Sequence, residues 1–116
     1  MDQFNAMRMA ATVLYGNRGK DYGYGTRNDG TFKGPGFMGE LKTPKGDVAT
    51  ELSIGVEFDG QEVEIPLLVP TLTKKQVEHL LNDGEATEDI IDKAVDHAKK
   101  RMKQGKSPFY GAEDED

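Results

Sequence analysis

The stretch Glu51-Leu52-Ser53-Ile54-Gly55-Val56-Glu57-Phe58-Asp59-Gly60-Gln61-Glu62-Val63-Glu64-Ile65-Pro66-Leu67-Leu68-Val69 decides the fold class. Leu52, Ile54, Val56 and Phe58 alternate with Glu51, Ser53, Gly55 and Glu57. Beyond Asp59-Gly60, Val63, Ile65, Leu67 and Val69 alternate with Glu62, Glu64, Pro66 and Leu68. A period of two places alternate side chains on opposite faces of a strand. Asp-Gly supplies the positive φ angles that a two-residue hairpin turn requires. A β-hairpin follows, with one apolar face and one acidic face. Pro66 has no N–H to give a ladder, so the second strand is an edge there or ends early.

Upstream, residues 37–43 read as a third strand, weakened by Gly39, and Pro44-Lys45-Gly46-Asp47 has turn chemistry. Downstream, Thr73 and Gln76 have the spacing of a capping box, and Val77, Leu80 and Leu81 form an apolar stripe before Gly84. Thr87 caps a second helix. Ile90, Ile91, Ala94, Val95, Ala98 and Met102 line its inner face, and Gly105 stops it. Lys99, Lys100, Arg101 and Lys103 gather at its end, where the helix dipole is negative. The apolar faces of hairpin and helices need one another for burial.

Before the hairpin the pattern changes. Nine of the 14 glycines lie between Gly16 and Gly46. A structureless connection longer than about 12–15 residues is usually functional or disordered. Ahead of it, Asp2 can cap a helix over residues 3–15, with Phe4, Met7, Ala10 or Ala11, and Leu14 on one face. Packing onto its own domain and docking onto a neighbouring chain both remain open for this helix. The expected fold class is therefore α+β: a small antiparallel three-stranded meander packed by two C-terminal helices, with an N-terminal helix and an extended Gly-rich arm. The expected divisions are 1–36 for helix and arm, 37–109 for the α+β domain, and 110–116 for an acidic tail.

With 116 residues, 35% of them hydrophobic, the chain is one domain with a thin core. It has no cysteine, which removes disulfides, thiolate metal sites and thiol nucleophiles. No apolar run approaches a membrane span, and the N-terminus lacks the pattern of a signal peptide. The net charge of -6 argues against a duplex-binding surface. It is concentrated in residues 48–72, which carry five acids and no base, and in the tail.

Gly34-Pro35-Gly36-Phe37-Met38-Gly39 has the letters of a dinucleotide fingerprint but neither a preceding strand nor a following helix. His79 and His97 sit on different helices with no third ligand at a fixed spacing, so they read as surface or structural residues. Glu51, Glu57, Glu62 and Glu64 read as a solvated acidic face able to meet a basic partner. No catalytic residue, cofactor or metal site is expected, and the chain is read as a non-enzyme. Aromatic and basic residues alternate from Tyr15 to Phe37, as in single-strand binders, but without a nucleic-acid signature. A partner-binding strap is the preferred reading. Its candidate contacts are Phe4, Met7, Tyr15, Tyr22, Tyr24, Arg27 and Phe32.

Several short elements recur in one order: Gly25-Thr26-Arg27-Asn28-Asp29-Gly30-Thr31; Lys33-Gly34-Pro35-Gly36-Phe37-Met38-Gly39-Glu40-Leu41-Lys42; Val48-Ala49-Thr50-Glu51-Leu52-Ser53-Ile54-Gly55-Val56; Glu64-Ile65-Pro66; Leu68-Val69-Pro70-Thr71-Leu72-Thr73; Ala94-Val95-Asp96-His97-Ala98; and Gly105-Lys106-Ser107-Pro108-Phe109. Over residues 22–109 this resembles a small module of tailed bacteriophages. That module stands alone or forms a segment of larger virion-associated proteins, some near peptidoglycan-degrading domains. The resemblance implies a phage context and carries no catalytic residue.

The function expected is that of a minor structural protein of a virion, binding other virion proteins at capsid, neck or tail. Self-association is a further candidate. Its place would be the virion, after synthesis in the host cytoplasm. The alternative is a small phage protein that binds and inhibits a host protein. A third reading is an accessory module of a cell-wall hydrolase.

Overall fold

The structure is a computed structural model and describes residues 20–111 and 114. Six elements follow one another among the described residues: β1 (Leu41–Lys42), β2 (Val48–Ala49), β3 (Ser53–Phe58), β4 (Gln61–Pro66), α1 (Lys74–Leu81) and α2 (Glu88–Lys103). The class is α+β, and the described residues form two separate antiparallel two-stranded sheets and two helices. The helix expected over residues 3–15 lies outside the described residues.

The β3–β4 hairpin forms as its alternation requires. Asp59 and Gly60 take φ of 50° and 83°, and Phe58 pairs with Gln61 across the turn. In a two-residue hairpin the pairs counted from the turn alternate between hydrogen-bonded and non-hydrogen-bonded. Pro66, opposite Ser53, falls at a non-hydrogen-bonded position. Its missing N–H therefore costs the ladder nothing, and β4 ends there. Leu67, Leu68 and Val69 leave the strand but stay buried, with Leu67 N–H donating to Leu52 O at 2.7 Å.

The three-stranded meander is replaced by two hairpins. Residues 37–43 contribute only Leu41–Lys42 as a strand, and its partner is Val48–Ala49. The reason is local. The turn at residues 44–46 folds the chain straight back, with Thr43 N–H on Asp47 O at 2.8 Å and Gly46 at φ 91°. Thr50 and Glu51 then turn out of the sheet and are buried elsewhere.

Both helices carry the caps read from the sequence. Thr73 and Gln76 exchange the two bonds of a capping box, and Thr87 Oγ1 accepts from Ile90 N–H. Each helix ends in a Schellman arrangement: Gly84 N–H reaches His79 O at 2.9 Å, and Lys106 N–H reaches Arg101 O at 2.9 Å. Asp83 (φ 64°) and Gly105 (φ 79°) occupy the left-handed positions. The core joins Ile65, Leu67 and Leu68 from the hairpin side to Leu80 of α1 and Ile90, Ala94 and Ala98 of α2. Small alanines on α2 let the sheet approach closely, and the half-buried Ile54, Val56, Phe58 and Val63 complete the contact.

Candidate binding site

The Gly-rich strap does not run free over residues 20–36. Residues 25–33 form a miniature hairpin: Thr26 bridges Phe32, Arg27 N–H donates to Thr31 O at 2.7 Å, and Lys33 N–H donates to Gly25 O at 2.9 Å. Its three-residue loop is Asn28-Asp29-Gly30. Gly30 holds φ 91°, and Asp29 Oδ1 accepts from the Thr31 amide at 2.9 Å.

This hairpin aims Arg27 at Glu51. Arg27 Nε donates to Oε1 at 2.9 Å and Nη2 donates to Oε2 at 2.7 Å. The two side chains are 13% and 4% exposed. Gly34 N–H adds a bond to Glu51 Oε2 at 2.9 Å, and Arg27 Nη1 donates to Thr31 Oγ1 at 3.1 Å. The guanidinium lies 4.5 Å from the ring centre of Phe109. A buried carboxylate needs such a set of partners, because desolvation of a lone charge is very costly. Glu51 therefore leaves the solvated acidic face expected of it. Glu64 is half-buried, accepting from Asn28 Nδ2 at 3.2 Å and from Ser53 Oγ. Glu57 and Glu62 remain exposed on the hairpin.

A second arginine fastens the C-terminal segment. Arg101 Nε donates to Ser107 O at 2.7 Å, Nη2 to Phe109 O at 2.9 Å, and Nη2 to Asp114 Oδ2 at 2.7 Å. Asp114 is thus held by Arg101, which pushes its carboxyl below the usual carboxylate range. Arg101 also faces the Phe37 ring at 5.0 Å. Phe37 meets the His97 ring edge-on at 4.7 Å and Tyr110 at 5.6 Å. His97 Nδ1 is buried without a hydrogen-bond partner among the described residues. Burial, followed by Arg101 and Lys100, lowers its pKa, and Asp114 opposes the shift.

Of the expected contact residues, Phe4, Met7 and Tyr15 lie outside the described residues. Tyr22 packs beside Gly34, with Lys20 Nζ 4.8 Å from its ring centre. Tyr24 donates its hydroxyl to Glu40 Oε2 at 2.7 Å, which raises its pKa. Phe32 is half-buried in the miniature hairpin, and Arg27 is engaged by Glu51. Arg27 therefore reaches across the division expected at residue 36, to Glu51 and the Phe109 ring, and Tyr24 crosses it through Glu40. Tyr24 lies at a cleft of 420 Å³ shared with Lys33, Glu40, Val48 and Thr50. Val48 is 49% exposed there.

A wider groove of 860 Å³ runs between the tip of the β3–β4 hairpin and the last turns of α2. His79 is an exposed residue with Nε2 2.7 Å from Glu85 O. Among the described residues, no group of three His, Cys, Asp or Glu side chains could hold a metal ion, and no helix is long and apolar enough to cross a membrane.

Glu51 and Arg101 were missed by sequence reasoning. Arg101 carried a signal: it is the one arginine in a lysine cluster, and arginine forms the multidentate contacts lysine cannot. Glu51 carried a weaker one, as an acid in a stretch without bases. Compared with known protein families, curated proteins and solved structures, the chain matches none of them.

Proposed function

We propose that this protein is a minor structural component of a bacteriophage particle that binds other virion proteins. One observation carries the reading. Four of the seven short elements that resemble the phage module meet at one place, although they are spread from residue 25 to residue 109. Arg27, Gly34, Glu51 and Phe109 all belong to them and meet in the clamp. A recurrent set of residues that builds a rigid platform suits a module whose task is to be held in a fixed orientation. The platform presents Tyr24, Val48 and Lys33 around an open cleft.

Mass spectrometry of purified particles of the encoding phage tests this. The protein should be present at a fixed stoichiometry. A chain lacking residues 1–19 should fold, because the clamp is retained, and should fail to be incorporated. Absence from particles, or normal incorporation of the shortened chain, contradicts the reading.

A second reading has its own observation. Glu57, Asp59 and Glu62 form no ion pairs among the described residues and face solvent, as an inhibitor of a basic host protein would require. It predicts the protein in infected cells and not in particles.

A further inference from the structure

The groove between the hairpin tip and α2 has an apolar floor and two walls of opposite charge. Phe58, Val63 and Met102 form the floor, and each is only half-buried. Glu57 and Asp59 stand on the hairpin side; Lys99 and Lys103 stand on the helix side. None of these four charged groups forms an ion pair or hydrogen bond among the described residues. All four are exposed.

Most surface helices spread charge of one sign or mix it. Here the signs are segregated across a single depression. Such a surface is complementary to itself. A copy turned through a two-fold axis running along the groove sets its acidic wall against the first copy's basic wall, and the reverse contact follows by symmetry.

We propose that this groove is a homodimer surface, in which two copies meet groove to groove and the hairpin tip of each copy stands against the end of α2 of the other. Glu57 and Asp59 then lie beside the second copy's Lys99 and Lys103, and Phe58, Val63 and Met102 lose their remaining exposure. The contact is independent of any role in a particle. It needs only the chain itself.

Sedimentation of the full chain over a wide concentration range provides the test. Two variants reverse one wall each: Glu57→Lys with Asp59→Asn, and Lys99→Glu with Lys103→Glu. All four sites are exposed, and Asn-Gly suits the same turn as Asp-Gly. The wild type should dimerise. Each variant alone should dissociate by at least about tenfold more readily, because like charges then face one another. An equimolar mixture of the two variants should dimerise again, since each supplies the wall the other lost. A wild type that stays monomeric, whether its groove is open or covered by its own residues 1–19, overturns the proposal. So does a dimer indifferent to either reversal, or a mixture that stays monomeric.

Discussion

Arg27 and Glu51, 24 positions apart, form a two-pronged ion pair in which both side chains are almost wholly removed from water. The pair joins the Gly-rich strap to the segment between the two sheets. Phe109 covers it from the C-terminal side. One contact therefore ties together three parts of the chain that local sequence patterns treat as separate. A buried pair of this kind need not add much net stability, because desolvation offsets the attraction. Its consequence is specificity: the strap has one place to go.

Removing one partner leaves the other charged and buried. Arg27→Ala should cost about 3–5 kcal/mol in denaturant unfolding. Arg27→Lys should recover only part of that, since an ammonium cannot make both bonds. The apolar double variant Arg27→Met/Glu51→Leu should be more stable than either single variant. If the costs of the two single changes simply add, the pair is not coupled as described.

The strap also passes very close to the backbone at one point. A Cβ on Gly36 would collide with Thr50 O, and Gly36 holds φ 74°. Gly39 has a similar φ of 72° but open space around it. Gly39→Ala should cost about 1 kcal/mol from backbone conformation alone. Gly36→Ala should cost at least about 2 kcal/mol, because clash adds to conformation. Equal thermal shifts for the two would show that the strap is not pressed against Thr50.

Much of the domain was legible in the sequence, and the clamp was not. The β3–β4 hairpin, the Thr73 capping box and the Thr87 cap are set by residues within a few positions of one another. Period, propensity and capping therefore report them directly. Residues 37–43 illustrate the limit. Their pattern allowed a strand, but the turn at residues 44–46 fixed the partner as Val48–Ala49 rather than the long hairpin. Arg27–Glu51 and Arg101–Asp114 depend on tertiary approach, and nothing in the spacing of an arginine and a distant acid encodes it. The composition of the strap read as an arm because glycine gives it no periodicity; its hold on the domain comes from Arg27 and the Gly34 amide on Glu51, Asn28 on Glu64 and Tyr24 on Glu40.

Acid should loosen, in two stages, the C-terminal segment that Arg101 fastens. His97 has a folded-state pKa below its ordinary 6.5, so the folded form resists a proton that the unfolded form accepts. Stability should be level above about pH 6.5 and fall as pH drops below it. Asp114, held below its ordinary 3.8 by Arg101, contributes stability that is complete above that value and lost as pH falls through the lower folded value. Thermal unfolding against pH should show both declines. His97→Gln should abolish the first and leave the second; an unchanged profile in that variant would remove His97 from the account.

Shortening the chain should separate the strap from the residues before it. A chain starting at residue 20 should unfold at nearly the wild-type denaturant midpoint. A chain starting at residue 37 loses Arg27 and the Gly34 amide together, and should unfold at a markedly lower midpoint, with Glu51 left unpaired. Equal midpoints would mean that the strap contributes nothing to the fold.

Amide hydrogen exchange at Gly34 in the full chain tests the central claim most directly, because that amide donates to Glu51 and reports the clamp itself. In the wild type the Gly34 amide should be protected together with those of Arg27 and Lys33, which close the miniature hairpin. In Arg27→Ala the Gly34 protection should fall sharply while that of the β3–β4 hairpin is reduced far less. Exchange at Gly34 in the wild type as fast as in an unstructured peptide would contradict the clamp and return the strap to a free arm.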